Sequence, residues 1–276
     1  MIRVARGDEP AALAAIRQQE IQRVGGALAG DPHAIHAVEP VPLTAKLVGK
    51  AYQAVAGDLW RAQFRKCCHC EMRVPLRYND VEHFRPKASV RQRSGGRADP
   101  GYWWLAWTWE NLLFACASCN RSSKNDQFPL VDPTKRLRAQ AQPPGHENPL
   151  LLDPAEPTAN PEAHLHFDVV GEARGHVSGN TPNGACSVEV YGLHRDELVE
   201  VRALELDFID SELEAVSRLL RTGRIDSAQK RWTELLESIK PQRSFAALRR
   251  AALAAFRASR PVEHQAALAQ VPASVW

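Results

Sequence analysis

Two C-x-x-C motifs constrain this chain more than any other feature of its sequence. The first is Cys67-Cys68-His69-Cys70 and the second is Cys116-Ala117-Ser118-Cys119. Each motif turns tightly enough to offer two sulfurs to one ion, so four thiolates can surround a tetrahedral Zn²⁺. The expected ligands are Cys67, Cys70, Cys116 and Cys119. Four sulfurs leave no coordination position for water, so this zinc is expected to hold structure rather than perform catalysis.

Other uses of these cysteines stay open from the sequence. Cys68 and His69 are competing ligands, and a redox C-x-x-C pair is a competing role. Five of the six cysteines fall in one segment, and disulfides are disfavoured in a reducing compartment. Cys186 stands apart and is expected to be a small buried hydrophobic residue.

The positive charge of the chain is concentrated around the two motifs. The formal net charge is only +3, but residues 61–138 contain 15 Lys and Arg against 7 Asp and Glu. This segment therefore carries +8 and the rest of the chain −5. A concentrated positive segment fits a polyphosphate partner, because neutralised phosphates release counterions. A solvated basic surface is the alternative interpretation.

Composition and length indicate an ordinary globular protein. The chain has 276 residues, of which 44% are hydrophobic and 24% charged, so neither disorder nor a fibrous class is indicated. No apolar run approaches the roughly 18 residues that would span a bilayer, and the first residues lack the apolar core of a signal peptide. We therefore expect a cytoplasmic protein without membrane contact.

Hydrophobic periodicity predicts helices on both sides of the cysteine-rich segment. The expected regions are an N-terminal helical region (1–66), a core with the zinc motifs (67–130), a Pro-rich irregular connection (131–194) and a C-terminal helical region (195–276). The predicted helices cover residues 9–24, ending at Gly25-Gly26, then 44–66, 195–223, 227–239 and 245–258. The connection is expected to hold one short strand within residues 165–170.

Two further motifs carry chemistry. Val81-Glu82-His83-Phe84-Arg85-Pro86-Lys87 lies between the zinc motifs. Trp109-Glu110-Asn111 precedes a short apolar strand predicted at residues 112–115, which enters the second zinc motif. Asn120 and Lys124 then follow at a spacing that places both near one face of a short helix. A Glu-His pair alone usually lies in an exposed loop and has no catalytic role. This pair differs because it lies between the two zinc motifs.

The order C-x-x-C, Glu-His, Asn-Leu, C-x-x-C-Asn, Lys resembles the zinc-containing HNH endonucleases. Glu-His-Phe-Arg-Pro-Lys and Phe128-Pro129-Leu130 are most similar to the HNH subunits of bacterial anti-phage systems of the Septu and retron-associated kind, which work with an ATPase. The specific motifs cover residues 67–130. The resemblance implies an α+β fold: a small ββα-metal (HNH) core with a four-cysteine zinc site, flanked by N-terminal helices and a C-terminal helical bundle.

The resemblance also implies a role for each motif residue. His83 is the general base that takes a proton from the attacking water, and Glu82 is the acidic ligand of a catalytic ion. Asn111 orients the loop that carries His83, and Asn120 replaces the final His as second metal ligand. A carboxylate with an amide oxygen favours Mg²⁺ or Mn²⁺. The candidates for backbone phosphate contacts are Arg85, Lys87, Arg121 and Lys124.

The implied function is hydrolysis of DNA phosphodiester bonds by the nuclease effector of a defence system, with DNA and an ATPase subunit as partners. The alternative is a non-catalytic module whose zinc only organises a nucleic-acid- or protein-binding surface. Glu82 and His83 with Asn111 and Asn120 favour the enzyme, since a zinc ribbon needs no base and no hard-metal ligands. The tryptophans of the core are expected to pack inside it rather than stack on bases. They are Trp103, Trp104, Trp107 and Trp109.

Overall fold

Small two-stranded sheets and many helices make up this α+β protein. The structure is a computed structural model that describes residues 1, 3–4, 6–30, 43–93, 96–98, 100–156, 158 and 160–273. Within these residues, no helix has the length and apolar character needed to cross a membrane.

The first helix, α1 (Ala11–Gly30), is longer than the sequence predicts. Its expected end at Gly25-Gly26 is wrong, because the helix continues through both glycines. A Cβ atom on Gly25 would lie 3.3 Å from the ring of Trp103. Glycine at this position therefore allows the helix to approach the tryptophan closely instead of ending it.

The single helix predicted over residues 44–66 is also wrong, because the chain forms three shorter pieces there. They are α2 (Leu43–Val48), a 3₁₀ helix (Ala51–Val55) and α3 (Ala56–Ala62). Gly49 separates the first two with a φ of 62°, and Phe64 and Arg65 also have positive φ after α3. Residues in the left-handed backbone conformation cannot continue a right-handed helix, so the chain turns before it reaches Cys67.

The centre of the molecule contains two antiparallel strands followed by a helix. Strand β1 (Asp80–His83) pairs with a buried apolar strand, Leu112–Ala115, in a register that places His83 opposite Leu112. The strand predicted at residues 112–115 is thus confirmed. The helix expected after it is a π-helix, Ser118–Lys124. Along the chain, β2 (Val90–Arg91) and β3 (Arg97–Ala98) come between these two strands and pair with each other. The apolar strand is therefore numbered β4.

The tryptophans lie between β3 and β4, partly in the 3₁₀ helices Trp103–Leu105 and Trp109–Asn111. Their exposed fractions are between 0% and 4%, so the prediction of core packing is confirmed. Trp104 donates its indole N–H to the Ala141 carbonyl and Trp109 donates to the Gly7 carbonyl. These bonds join the centre of the molecule to distant segments.

The Pro-rich region contains more regular structure than the sequence predicts. The predicted strand is present as β5 (Leu165–Phe167), and it pairs with β6 (Val177–Gly179). An unpredicted helix, α4 (Pro182–Val190), follows directly. The residues that begin this helix are of the types that mark a helix N-terminus in a sequence. Thr181 accepts a hydrogen bond from the Gly184 N–H as the N-cap, and Pro182 lies in the first turn. Cys186 on α4 is fully buried, as expected.

Helices are present at the three C-terminal positions where the sequence predicts them, and a fourth short helix follows. They are α5 (Asp196–Arg221), α6 (Ile225–Leu236), α7 (Ala246–Ala258) and α8 (Val262–Ala267). Helix α5 buries a stripe that includes Leu206, Ile209 and Leu213, the spacing of one helical face. Both α6 and α7 pack against α5.

Candidate metal centre and polar cleft

The four cysteines of the two C-x-x-C motifs converge on one point. The sulfurs of Cys67, Cys70, Cys116 and Cys119 all lie within 4.8 Å of one another, and all four residues are buried. The sulfurs of Cys70 and Cys116 are 3.9 Å apart. In a tetrahedral site with Zn–S bonds of about 2.3 Å, neighbouring sulfurs are about 3.8 Å apart. The cluster therefore fits a metal ion such as zinc.

The competing ligands of this segment, Cys68 and His69, lie outside the four-sulfur cluster. None of the six cysteines forms a disulfide. Cys68 lies outside the four-sulfur group, and its backbone N–H bonds to the Phe114 carbonyl on β4. His69 is fully buried and stacks on Tyr191 at a centroid distance of 3.7 Å. Burial lowers the pKa of His69 to about 3, so its ring is neutral.

A polar cleft of about 480 Å³ opens beside β1. Five of the predicted site residues line it: Glu82, His83, Lys87, Asn120 and Arg121. Tyr52, Asp80 and Asp126 also line it, although the sequence did not single them out. The cleft thus gathers side chains from the 3₁₀ helix before α3, from β1 and from the π-helix.

His83 is held in one tautomer at the end of β1. Its Nε2 atom lies 3.0 Å from the Ala106 carbonyl oxygen, and its ring meets the Tyr52 ring edge-on at 4.5 Å. A carbonyl can only accept a hydrogen bond, so Nε2 carries the proton and Nδ1 keeps a free lone pair in the neutral ring. Burial lowers the pKa of His83 well below its usual range.

Glu82 forms an ion pair with Lys124 below the surface of the cleft. The Lys124 Nζ atom lies 2.6 Å from Glu82 Oε1 and donates to the His83 carbonyl at 2.8 Å. Burial raises the pKa of the Glu82 carboxyl in spite of this ammonium. Lys124 is fully buried, so the structure places it inside the protein and not where the sequence suggests a phosphate contact.

Asp80 links two predicted site residues. Its Oδ2 atom accepts from Asn120 Nδ2 at 3.1 Å and from Arg121 Nε at 2.8 Å. Side chains alternate along a strand, so Asp80 and Glu82 occupy the same face of β1. This alternation is the signal that could have identified Asp80 from the sequence.

Asn111 lies behind the cleft and fixes the backbone that follows His83. Its Oδ1 accepts from the Arg85 N–H at 2.8 Å, and its Nδ2 donates to the carbonyls of Arg85 and Leu105 at 3.1 Å each. The Asn111 carbonyl also accepts from the Phe84 N–H. Its contacts are those of an orienting residue.

Arg85 turns away from the cleft. Its guanidinium lies 2.8 Å from Glu147 in a buried pair, and Glu147 also accepts from the Tyr102 hydroxyl. Like Lys124, Arg85 is thus directed inward and does not line the cleft.

Lys87 lies at the cleft wall with its Nζ atom 4.7 Å from the centre of the Tyr52 ring. The segment that carries it is fixed by Gly101 and Tyr102, whose N–H groups bond to the carbonyls of Ala88 and Pro86. A Cβ atom on Gly101 would come within 2.5 Å of the Pro86 oxygen, so only glycine permits this approach. Of the four predicted phosphate contacts, Lys87 and Arg121 are the two that line the cleft.

The fold and the site together define an α+β protein in which one π-helix contributes Cys119 to a four-cysteine metal-binding cluster and Asn120 to a polar cleft. The chain is 40% identical over 140 residues to the Septu protein PtuB of Bacillus mycoides (strain KBAB4). The aligned part is 50% of this chain and 46% of that protein, so the chain spans about half the length of the curated relative it matches. This similarity supports a relationship to Septu defence systems. No protein-family model and no solved structure matches the chain.

Proposed function

We propose that this chain is a metal-dependent nuclease of the HNH class that hydrolyses DNA as an effector of anti-phage defence. The observation that carries the proposal is the convergence of His83, Glu82 and Asn120 on one open cleft beside the four-cysteine centre. The antiparallel pair of β1 and β4 and the π-helix that follows β4 support this proposal, because a ββα-metal core consists of two antiparallel strands and a helix.

His83 is the proposed general base. Because Nε2 donates its proton to the Ala106 carbonyl, Nδ1 is the ring nitrogen whose lone pair can accept a proton from water. The Tyr52 ring and the fixed Nε2 contact restrict rotation of the imidazole. Asn111 supports this geometry from behind by fixing Arg85, two residues further along the chain.

The oxygen donors at the cleft suit a divalent cation. Glu82 and Asn120 are the proposed ligands, and the Asp80 carboxylate is a third oxygen group on the same face of β1. Carboxylate and amide oxygens are hard ligands that favour Mg²⁺ or Mn²⁺ over zinc. An ion held there would stabilise negative charge that develops on a scissile phosphate.

The remaining charged residues divide into two groups. Lys87 and Arg121 line the cleft and are the proposed phosphate contacts. Lys124 and Arg85 are buried in ion pairs, and we assign them to positioning Glu82 and the backbone around His83.

The substrate and the biological setting rest on the relative and on the motifs. DNA as substrate and an ATPase subunit as partner are proposals from the resemblance of the motifs to HNH subunits, and the similarity to the Septu protein PtuB supports a defence system as the setting. Among the residues that the structure describes, helices α5 to α8 contribute none to the cleft lining, and we propose that they dock the partner.

The test compares wild type, His83→Ala and His166→Ala on plasmid DNA with and without Mg²⁺ or Mn²⁺. His166 is an exposed histidine on β5, outside the cleft, and serves as the matched control. Zinc content is measured first, so that all proteins compared carry an intact cysteine centre. We expect metal-dependent cutting by wild type and His166→Ala, and a loss of at least a hundredfold in His83→Ala, the usual size of a general-base contribution of about 10²–10⁴.

Two results would contradict the proposal. Cutting that survives in His83→Ala would exclude this residue as the base. No cutting by wild type on DNA or RNA, with or without a co-purifying partner, would favour a non-catalytic module organised by zinc.

A further inference from the structure

An exposed loop between the first zinc motif and β1 is hydrogen-bonded to Arg121 at the edge of the cleft. Its residues Leu76 and Tyr78 are among the exposed large hydrophobic side chains, at 40% and 73% exposure. Arg77 lies between them, and its guanidinium carbon is 5.0 Å from the centre of the Tyr78 ring. An aromatic face with an adjacent cation is therefore presented to solvent at this edge of the cleft.

The loop is held in place by specific hydrogen bonds. Arg121, a cleft residue, donates from Nη2 to the Tyr78 carbonyl at 3.0 Å. Asn79 donates to the Pro75 carbonyl at 2.7 Å and accepts from the Ala117 N–H at 3.3 Å. These bonds attach the loop to the segment that carries the π-helix.

Tyr78 has a φ of 71°, a left-handed conformation that is unusual for a bulky residue. Such a conformation persists only when the surrounding contacts determine it, and it is often found at ligand sites. The backbone of Tyr78 is thus fixed next to Arg121, and the conformational cost is not offset by burial because the ring stays exposed.

We propose that Tyr78, with Arg77, is a stacking subsite for an unpaired nucleobase next to the nucleotide in the cleft. The proposal rests on the proposed function, since it names the form of the nucleic acid that this site takes. An aromatic face can stack on any base, and a neighbouring cation attracts the adjoining phosphate. The faces of a base within a duplex are covered by its neighbours, so the subsite selects unpaired or displaced nucleotides.

The geometry connects this subsite to the catalytic cleft through Arg121. One guanidinium contacts the Tyr78 carbonyl and the Asp80 carboxylate, so the loop and β1 share a fixed cation. A strand whose base stacks on Tyr78 would therefore enter the cleft directly past Arg121.

The experiment measures DNA binding without added Mg²⁺ or Mn²⁺, so that no cutting interferes. The probes are a single-stranded oligonucleotide with one 2-aminopurine and the same sequence as a blunt duplex. The variants are Tyr78→Asn, which tolerates the left-handed backbone without a ring, and Tyr78→Trp, which keeps a stacking surface. Phe208→Ala, which removes another exposed aromatic ring on α5, is the control.

We expect Tyr78→Asn to weaken single-strand binding roughly tenfold and to abolish quenching of 2-aminopurine, as loss of one base–aromatic stack predicts. Tyr78→Trp should keep both signals, and Phe208→Ala should match wild type. On the blunt duplex, Tyr78→Asn should change affinity less than twofold.

Unchanged affinity and quenching in Tyr78→Asn would overturn the proposal and favour a protein contact for Leu76 and Tyr78. Equal losses on duplex and single strand would overturn the assignment to an unpaired base, and no DNA binding by wild type would overturn the subsite altogether. Quenching without plasmid cutting would keep the subsite and reject the nuclease. Cutting without Tyr78-dependent quenching would keep the nuclease and reject the subsite.

Discussion

Lys124 and Glu82 form a buried ion pair in which Nζ lies 2.6 Å from Oε1. Their side chains are 0% and 3% exposed. The same ammonium donates to the His83 carbonyl at 2.8 Å. One lysine from the π-helix therefore fixes both residues of the Glu-His motif, the first through its carboxylate and the second through its backbone.

Removing this lysine should destabilise the protein. In Lys124→Met the Glu82 carboxylate loses its compensating charge while it stays buried, which costs about 3–5 kcal/mol for a buried pair. The free energy of unfolding from denaturant titration measures the effect. The double variant Glu82→Gln, Lys124→Met should recover part of the loss, because the unpaired charge is gone.

Lys135→Met is the control for the lysine substitution, since Lys135 is exposed in a short 3₁₀ helix. Its free energy of unfolding should stay within about 0.5 kcal/mol of wild type. A Lys124→Met protein as stable as this control would contradict the buried pair.

Loss of one zinc ligand should remove the metal and unfold the centre of the molecule. Cys119→Ser leaves three sulfurs around the ion, and structural zinc contributes on the order of 10 kcal/mol to folding in small domains. We expect bound zinc below one equivalent by elemental analysis and a large fall in melting temperature. Cys186→Ala, a buried cysteine outside the cluster, should keep one equivalent of zinc.

The metal centre could be predicted from the sequence because the spacing of its ligands is specific. Two C-x-x-C motifs have few other stable uses, and the apolar run at residues 112–115 had to be a buried strand leading into the second motif. The C-terminal helices were predictable for a similar reason, since their periodicity is local to each helix.

The roles of Arg85 and Lys124 could not be predicted, because their partners are distant in sequence. Arg85 pairs with Glu147, 62 positions away, and Lys124 pairs with Glu82, 42 positions away. A basic residue beside a proposed catalytic motif suggests a phosphate contact as long as its buried acidic partner is unknown. The break at Gly49 and the continuation through Gly25 depend likewise on tertiary packing, which periodicity alone does not contain.

Changing Asn111 should affect catalysis more than substrate affinity. In Asn111→Asp the two donors to the carbonyls of Arg85 and Leu105 are lost, and a carboxylate oxygen faces them instead. Each buried group left unpaired costs about 1–3 kcal/mol, so the loop after His83 should shift or loosen. In the plasmid assay we expect kcat to fall at least tenfold while KM changes less than twofold.

The exposed residue Asn180 provides the control as Asn180→Asp, which should leave both constants unchanged. A rise in KM with unchanged kcat for Asn111→Asp would indicate that Asn111 contacts the substrate and does not act through the loop.

Lys87 should contribute to DNA affinity through one phosphate, independently of base sequence. Its ammonium lies at the cleft wall over the Tyr52 ring, and no acidic side chain forms a salt bridge with it among the described residues. Substituting Lys87→Met should therefore weaken binding to all oligonucleotide sequences alike and reduce the slope of log affinity against log salt by about one. Lys230→Met, on the exposed side of α6, should leave this slope unchanged. Because counterion release scales with the number of neutralised phosphates, an unchanged slope in Lys87→Met would mean that Lys87 supports Tyr52 and His83 without contacting DNA.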